Sequence, residues 1–357
     1  MNGGKLMKKL IVLITALIFV TNVFAVKTGT LEKVMKPDSL SVSGDQLYIA
    51  EGAVVSIFSM KDLKLIKQFG RQGEGPGEVM LNPGYKNKVM THGEYILIDS
   101  INKVSFFSKD GKFVKELKKT MFPMQAVPIG DNFVVRTMVV DNDTKTQYMT
   151  INIYNSNLEK VKELGRQDWV QQGGQPISFD MIPDFINFAV YKNELYVEQS
   201  DKGFIIDVYD SQGNKLRRIE HPFEKIKVTQ ADKDAVIELF KEDPHIKQQV
   251  NEAGGWNTFK NYVNMKFFDY YPAIQNIDVC NDLIFVQTFK VKDGKEEYVI
   301  MDLQGKIIKK VFLPRFENTS VMQKLMGSKL FAIADNNLYY IAENDDEDWE
   351  LHCLKID

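Results

Sequence analysis

The chain has 357 residues, 44% hydrophobic and 26% charged, with 23 Gly, 11 Pro, 23 Phe and 14 Tyr. This composition belongs to a folded globular chain and excludes disordered, collagenous and coiled-coil classes. A formal net charge of −3 leaves no basic footprint for nucleic acid.

The N-terminus reads as an address rather than as part of the fold. Lys5, Lys8 and Lys9 precede an apolar run, Leu10–Val20, that is too short to cross a bilayer. Val23 and Ala25 then place small residues at −3 and −1, so the pattern predicts a signal peptide over 1–25, cleaved after Ala25. No later run approaches the roughly 20 apolar residues of a membrane span. The processed chain is therefore expected to be periplasmic or secreted, without a transmembrane segment. Residues 1–25 contain three lysines and no acid, so processing takes the net charge from −3 to −6.

Two elements then alternate along the chain. The first is a Gly, Asn or Asp turn followed by an apolar strand, Gly44–Ile49, recurring at His92–Leu97, Gly130–Val135, Lys192–Val197, Asn281–Phe285 and Asp335–Tyr340. These turn residues supply the positive φ angles of a tight hairpin. The second is an apolar strand, a polar turn and a Lys-rich strand. Its copies lie at Ile57–Lys64, Phe106–Lys112, Ile153–Glu159, Val208–Asn214 and Ile300–Lys306, with a sixth starting at Trp349. Phe58, Phe107, Tyr154 and Tyr209 are spaced by 49, 47 and 55 residues, and the next step, to Met301, is 92.

A period near 50 with four strands per unit predicts an all-β, six-bladed β-propeller over 26–357. Its units fall at 37–84, 85–122, 123–180, 181–228, 271–315 and 316–357. The last unit lacks an outermost strand. Thr28–Lys36 has no other partner and is expected to supply it, closing the ring and leaving no open edge.

The surplus in the long step predicts a helical insertion at about 229–270, between blades 4 and 5. Thr229 with Asp232 resembles a capping box, and Ala235, Val236, Leu239 and Phe240 form an apolar stripe. Asp243-Pro244 restarts a helix that Gly254-Gly255 ends. Seven aromatics follow within 256–271, among them Trp256, Tyr262, Tyr270 and Tyr271. They serve either as a lid or contact surface over the channel mouth, or to fasten the insertion onto blades 4 and 5.

The segment after the first unit reads Phe69-Gly70-Arg71-Gln72-Gly73-Glu74-Gly75-Pro76-Gly77-Glu78. With the export signal and six units, it resembles the six-bladed β-propeller proteins exported by Bacteroidota and related to NHL-repeat and TolB-like propellers. The resemblance implies a fold and an exported location and carries no catalytic residues. Taken by its residues, the segment is either a nest of backbone N–H groups for an anion, assisted by Arg71, or an inter-blade turn in which Arg71 pairs with Glu74 or Glu78. A weaker echo, with Arg166 and Trp169, follows the third unit.

Because strand directions alternate within a blade, the inter-blade loops share one face with the middle hairpins. The loops expected there are 70–84, 165–184 and 223–272, and function is expected on that face. Arg71, Glu74, Glu78, Arg166, Trp169, Trp256, Tyr262, Tyr270 and Tyr271 are the candidate contact residues. The sequence thus predicts a monomeric binding module for a protein, peptide or carbohydrate of the envelope, needing no cofactor. Its four His are dispersed, and it contains no nucleophile elbow, P-loop or calcium loop. The alternative is a metal-dependent lactonase- or lyase-type enzyme, its channel metal held by Asp38, Asn187, Asn276 and Asp278. Export would permit a Cys280–Cys353 disulfide, although each Cys lies in a strand-like run where a free thiol packs as a small hydrophobe.

Overall fold

The computed structural model describes residues 26–356 apart from 83–84, 120–122, 142, 144–145, 172–176, 183, 185, 243 and 315–329. The expected signal peptide, 1–25, lies outside the described residues.

The chain enters as β1 (Val26–Thr30). Blade 1 follows as β2 (Ser39–Ser43), β3 (Gln46–Glu51), β4 (Val54–Ser59) and β5 (Leu65–Phe69), and blade 2 as β6 (Lys88–His92), β7 (Tyr95–Asp99), β8 (Lys103–Ser108) and β9 (Phe113–Lys118). Blade 3 comprises β10 (Pro123–Ile129), β11 (Asn132–Asp141), β12 (Thr146–Tyr154) and β13 (Lys160–Gln171), followed by β14 (Ile177–Asp180). Blade 4 comprises β15 (Phe188–Tyr191), β16 (Glu194–Glu198), β17 (Phe204–Tyr209) and β18 (Lys215–His221). The insertion holds α1 (Gln230–Glu242), α2 (Pro244–Glu252), α3 (Trp256–Phe259) and β19 (Val263–Lys266). Blade 5 is β20 (Asn276–Cys280), β21 (Leu283–Lys292), β22 (Lys295–Asp302) and β23 (Ile307–Pro314), and blade 6 is β24 (Phe331–Ala334), β25 (Asn337–Glu343) and β26 (Trp349–Lys355). Within each blade the consecutive strands pair antiparallel in chain order.

The hairpins form where the turn chemistry places them. In blades 4, 5 and 6 both turn residues have positive φ (Lys192 and Asn193, Asn281 and Asp282, Asp335 and Asn336), as a two-residue type I′ turn requires. The second and third strands are buried on both faces because each sheet is sandwiched between two neighbours. Tyr48, Val55 and Ile57 of blade 1 meet Val89, Ile96 and Ile98 of blade 2. Tyr196, Ile206 and Val208 of blade 4 meet Ile277, Ile284 and Val286 of blade 5. The Lys-rich outermost strands stay exposed, as at β5 and β9.

The ring closes as expected, with a shorter strand. β1 pairs antiparallel with β26 from Val26↔Cys353 to Thr30↔Glu350, with an irregularity between Lys27 and Gly29. Beyond Thr30 the chain leaves the sheet, yet Leu31 and Val34 remain buried with Leu47, Phe58 and Leu351. The closure is thus part backbone ladder and part hydrophobic anchor.

Blade 3 departs from the four-strand plan. Its sheet runs β10-β11-β12-β13-β14-β19, with β14 antiparallel to β13 and β19 parallel to β14 from Ile177↔Val263 to Asp180↔Lys266. The stretch 165–184, read from sequence as a loop, therefore builds the end of β13 and all of β14. Through β19 the insertion docks on the blade 3 sheet, a contact the sequence did not indicate.

Candidate functional site

The inter-blade connections and the middle hairpins meet on one face. Asp38, ahead of β2, accepts from the Gly52 amide of the β3–β4 turn at 2.9 Å, and Asn87, ahead of β6, donates to Gly52 O at 2.9 Å. Across the ring, the Gln275 amide, ahead of β20, donates to Gln287 O at 2.8 Å.

The glycine-rich loop on this face is occupied by its own chain. Glu78 Oε2 accepts from the Gly75 amide at 2.9 Å, and Glu116 Oε2 from the Gly77 amide at 3.3 Å. Arg71, largely exposed, pairs through Nε with Glu78 Oε1 at 2.9 Å. From below, buried Lys103 donates to Gly75 O at 2.7 Å and Glu116 Oε2 at 2.9 Å. Carboxylates thus take the amides that an external anion would need, which supports the turn reading. Glu74 is exposed, and its carbonyl also accepts from Lys103. Arg166 lies in β13, where it pairs with Glu163 at 2.9 Å and covers the Tyr148 ring at 4.0 Å. Trp169 is in β13 by its backbone, and its side chain lies outside the described residues.

The insertion is built by strong local signals. Thr229 Oγ1 accepts from the Asp232 amide at 3.2 Å while Asp232 Oδ2 accepts from the Thr229 amide at 2.7 Å, a reciprocal capping box that starts α1. At the end of α2 the Gly255 amide reaches Val250 O at 2.8 Å and the Gly254 amide reaches Asn251 O at 3.1 Å, a Schellman motif with Gly254 at φ 83°. The insertion closes at its base through Tyr271 N to Ile226 O and Val228 N to Asp269 O, both at 2.9 Å.

Its aromatics divide into two groups. Phe259 is buried, with Trp256 beside it at 5.7 Å and Phe240 at 6.5 Å, and Lys241 lies over the Trp256 ring. Tyr271 stacks on Phe289 of blade 5 at 4.6 Å. These rings hold the insertion together and to its neighbour. Tyr262, Phe268 and Tyr270 remain exposed, as does Leu239 at 59% exposure, and α1 contains no buried residue at all. Of the candidate residues, the structure thus gathers Trp256, Tyr262, Tyr270 and Tyr271 on the insertion and leaves Arg71, Glu74 and Glu78 on a separate loop.

Sequence reasoning missed a buried polar belt under the same face. Six residues after the first turn residue of the inner hairpin stand Asp99, Arg136, Glu198 and Gln287 in blades 2 to 5, all buried. Aligning the repeats on that turn would have found it. Asp99, Arg136 and Glu198 stitch blades 2 to 5 together, whereas Gln287 bonds Glu296 within blade 5. Asp99 Oδ2 accepts from the Ala126 amide of blade 3 at 3.1 Å, and Lys119 pairs with its other oxygen. Arg136 Nη1 donates to Asn187 Oδ1 at 3.2 Å. Glu198 Oε1 accepts from Asn187 N at 2.9 Å and Nδ2 at 2.6 Å, and Nδ2 also donates to Gln275 O at 3.1 Å. Burial pushes the Arg136 guanidinium down to about 10. Burial, then the proximity of Asp184, raises the Glu198 carboxyl well above the usual range.

The candidate metal ligands are engaged with other side chains. Asp38 pairs with Lys86 at 3.2 Å, Asn187 bridges Arg136 and Glu198, and Asn276 Nδ2 donates to Asp278 Oδ2 at 2.9 Å. Among the described residues, no three His, Cys, Asp or Glu side chains are grouped so as to hold a metal ion. Cys280 and Cys353 are free thiols, and burial, helped by Asp278 and Asp335, pushes Cys280 up to about 12. Among the described residues, no helix is long and apolar enough to cross a membrane.

Six antiparallel blades around one axis define a β-propeller of the kind that commonly serves as a binding scaffold. No protein-family model matches the sequence, and no curated protein matches it. Among solved structures, a DUF4221-family protein from Bacteroides vulgatus is similar over 93% of this chain and 98% of its own, at 12% identity and a TM-score of 0.49. BamB from Moraxella catarrhalis is similar over 88% and 71%, at 10% identity and 0.33, and the Pan2 WD40 domain of Neurospora crassa over 89% and 89%, at 9% and 0.39. At these identities the likeness concerns the fold alone.

Proposed function

We propose that this chain is an exported binding module whose contact surface is the insertion between blades 4 and 5, and whose partner is a protein or peptide. Export rests on the pattern of residues 1–25, in keeping with the resemblance to exported NHL-repeat and TolB-like propellers. The observation that carries the reading is α1. It is a 13-residue helix without a buried residue, in which Val236, Ile237 and Phe240 are half-buried and Leu239 is exposed. An isolated helix of that length is marginal in water and is ordinarily stabilised by covering its apolar side. Exposed Phe268 and Tyr270 add large rings of the kind enriched at interface hot spots. Exposed, aliphatic Leu239 on the same insertion favours a protein surface over a sugar.

The test uses the full chain as bait in envelope extract, beside a Leu239→Ser, Phe268→Ser, Tyr270→Ser variant whose melting is unchanged. Partners held by the parent chain should be lost from the variant. Equal retention by both would remove the insertion as the contact surface.

A further inference from the structure

The sheet of blade 3 ends on β19, whose far side is an open strand edge. The Met181 amide donates to Lys266 O at 2.9 Å, so Lys266 and, two residues back, Asn264 turn their backbone groups to β14. Val263 and Met265 therefore direct N–H and C=O away from it. Among the described residues no strand pairs on that side, and no element other than β14 runs alongside β19. The outermost strands β5, β9, β13, β18 and β23 each pair their inner neighbour with a break in register, a device that guards an edge. β19 pairs β14 through four consecutive residues without one. Along this edge Val263 is buried and Met265 half-buried, whereas Asn264 and Lys266 are exposed, as strand alternation requires. Exposed Tyr262 and Phe268 flank the strand. From Lys260 to Phe268 there are two lysines, both exposed, and no acid, and Lys233 of α1 lies over the Phe267 ring. Half-buried Asp180 of β14 stands opposite Lys266.

We propose that the free edge of β19 takes an extended acidic peptide of the partner as a further strand of the blade 3 sheet. The proposal rests on the reading of the insertion as a contact surface and names how that surface holds its partner. Main-chain bonds to Val263 and Met265 supply affinity, as wherever a peptide is added to a sheet edge. Side chains supply specificity. An acid of the peptide lies beside Lys266, and apolar residues on either side of it meet Tyr262 and Phe268. A basic peptide would instead meet Lys260 and Lys266 with like charge. The same sheet already carries strands beyond the four-strand plan, β14 on β13 and β19 on β14.

Selection of random phage-displayed peptides on the immobilised full chain tests this. Sequences with an acid between apolar residues should be enriched, and the leading peptide is then synthesised and its affinity read by fluorescence anisotropy. Met265→Pro removes an outward N–H and leaves the ladder to β14 intact, because proline is tolerated where the missing N–H faces solvent. It should weaken that peptide about tenfold. Lys266→Glu should turn the selection towards basic peptides. Should Met265→Pro fold poorly, N-methylation of alternate peptide residues replaces it. Methyl groups in the frame facing β19 should abolish binding, and those in the other frame should leave it unchanged. No enrichment, enrichment without acids, full affinity for Met265→Pro, or equal binding by both methylated peptides would overturn strand addition. The selection uses no extract. If it fails while the bait experiment succeeds, the contact surface stands and only its mode of binding falls.

Discussion

Lys103 and Glu116 form an ion pair at 2.9 Å directly beneath the glycine-rich loop, with the lysine side chain 2% exposed and the glutamate 16%. The same ammonium holds Gly75 O, and the same carboxylate oxygen holds the Gly77 amide, so one pair fixes both limbs of the turn. Lys103→Met should cost about 2 kcal/mol, read as a lowered urea midpoint at an unchanged slope. Breaking a wholly buried pair costs about 3–5 kcal/mol, and here Glu116 can turn to water. Limited proteolysis should then cut the loop at 71–78 in the variant and leave it intact in the parent chain.

Ring closure predicts a second outcome. β1 contributes a ladder to β26, and Leu31 and Val34 add buried contacts to blades 1 and 6. Leu31→Ala should cost about 2–4 kcal/mol as a cavity at a fully packed site. Removing 26–34 should do more than destabilise, because it leaves β26 as an open edge. Size-exclusion chromatography should show that truncated chain forming oligomers while Leu31→Ala elutes with the parent.

Gly70 is a site where backbone geometry alone dictates the residue. Its φ is +92°, and a Cβ there would overlap the Ala53 carbonyl oxygen. Gly70→Ala should cost about 3 kcal/mol in thermal unfolding, combining left-handed strain with a backbone clash. Gly44, with open space around its Cβ, should tolerate alanine at about 1 kcal/mol.

These features differ in how far the sequence announces them. The blades are legible because hairpin chemistry and strand alternation are local, and they repeat at constant period. The capping box of Thr229 and Asp232 is legible for the same reason. Docking of β19 on β14 is not. It pairs two four-residue strands 86 positions apart, in parallel, and Val263–Lys266 sits in an aromatic run that reads as helix-associated. The polar belt is partly legible. Asp99, Arg136, Glu198 and Gln287 share a register position, but each looks like a strand end until the blades are superposed on their turns.

Because α1 has no buried residue, its start depends on its cap. Thr229→Ala should weaken the first turn by about 1 kcal/mol. The loss should show as faster exchange of the 230–235 amides, with global melting unchanged, since no core contact is removed.

Glu198 gives the pH prediction for the belt. Oε1 accepts both Asn187 bonds, and Oε2 has no hydrogen-bond partner among the described residues. Burial, then Asp184, raises its carboxyl well above the usual range, while Arg136, held on Asn187, pulls more weakly the other way. A group raised in the folded state gives stability that is complete at acid pH and is lost as pH rises through its folded value. Glu198→Gln keeps an acceptor for Asn187 and removes the titration. Its melting temperature should match the parent at pH 5 and exceed it at pH 8. Identical pH profiles for the two chains would mean that Glu198 carries the same charge folded and unfolded, with Arg136 stabilising that charge across the amide of Asn187.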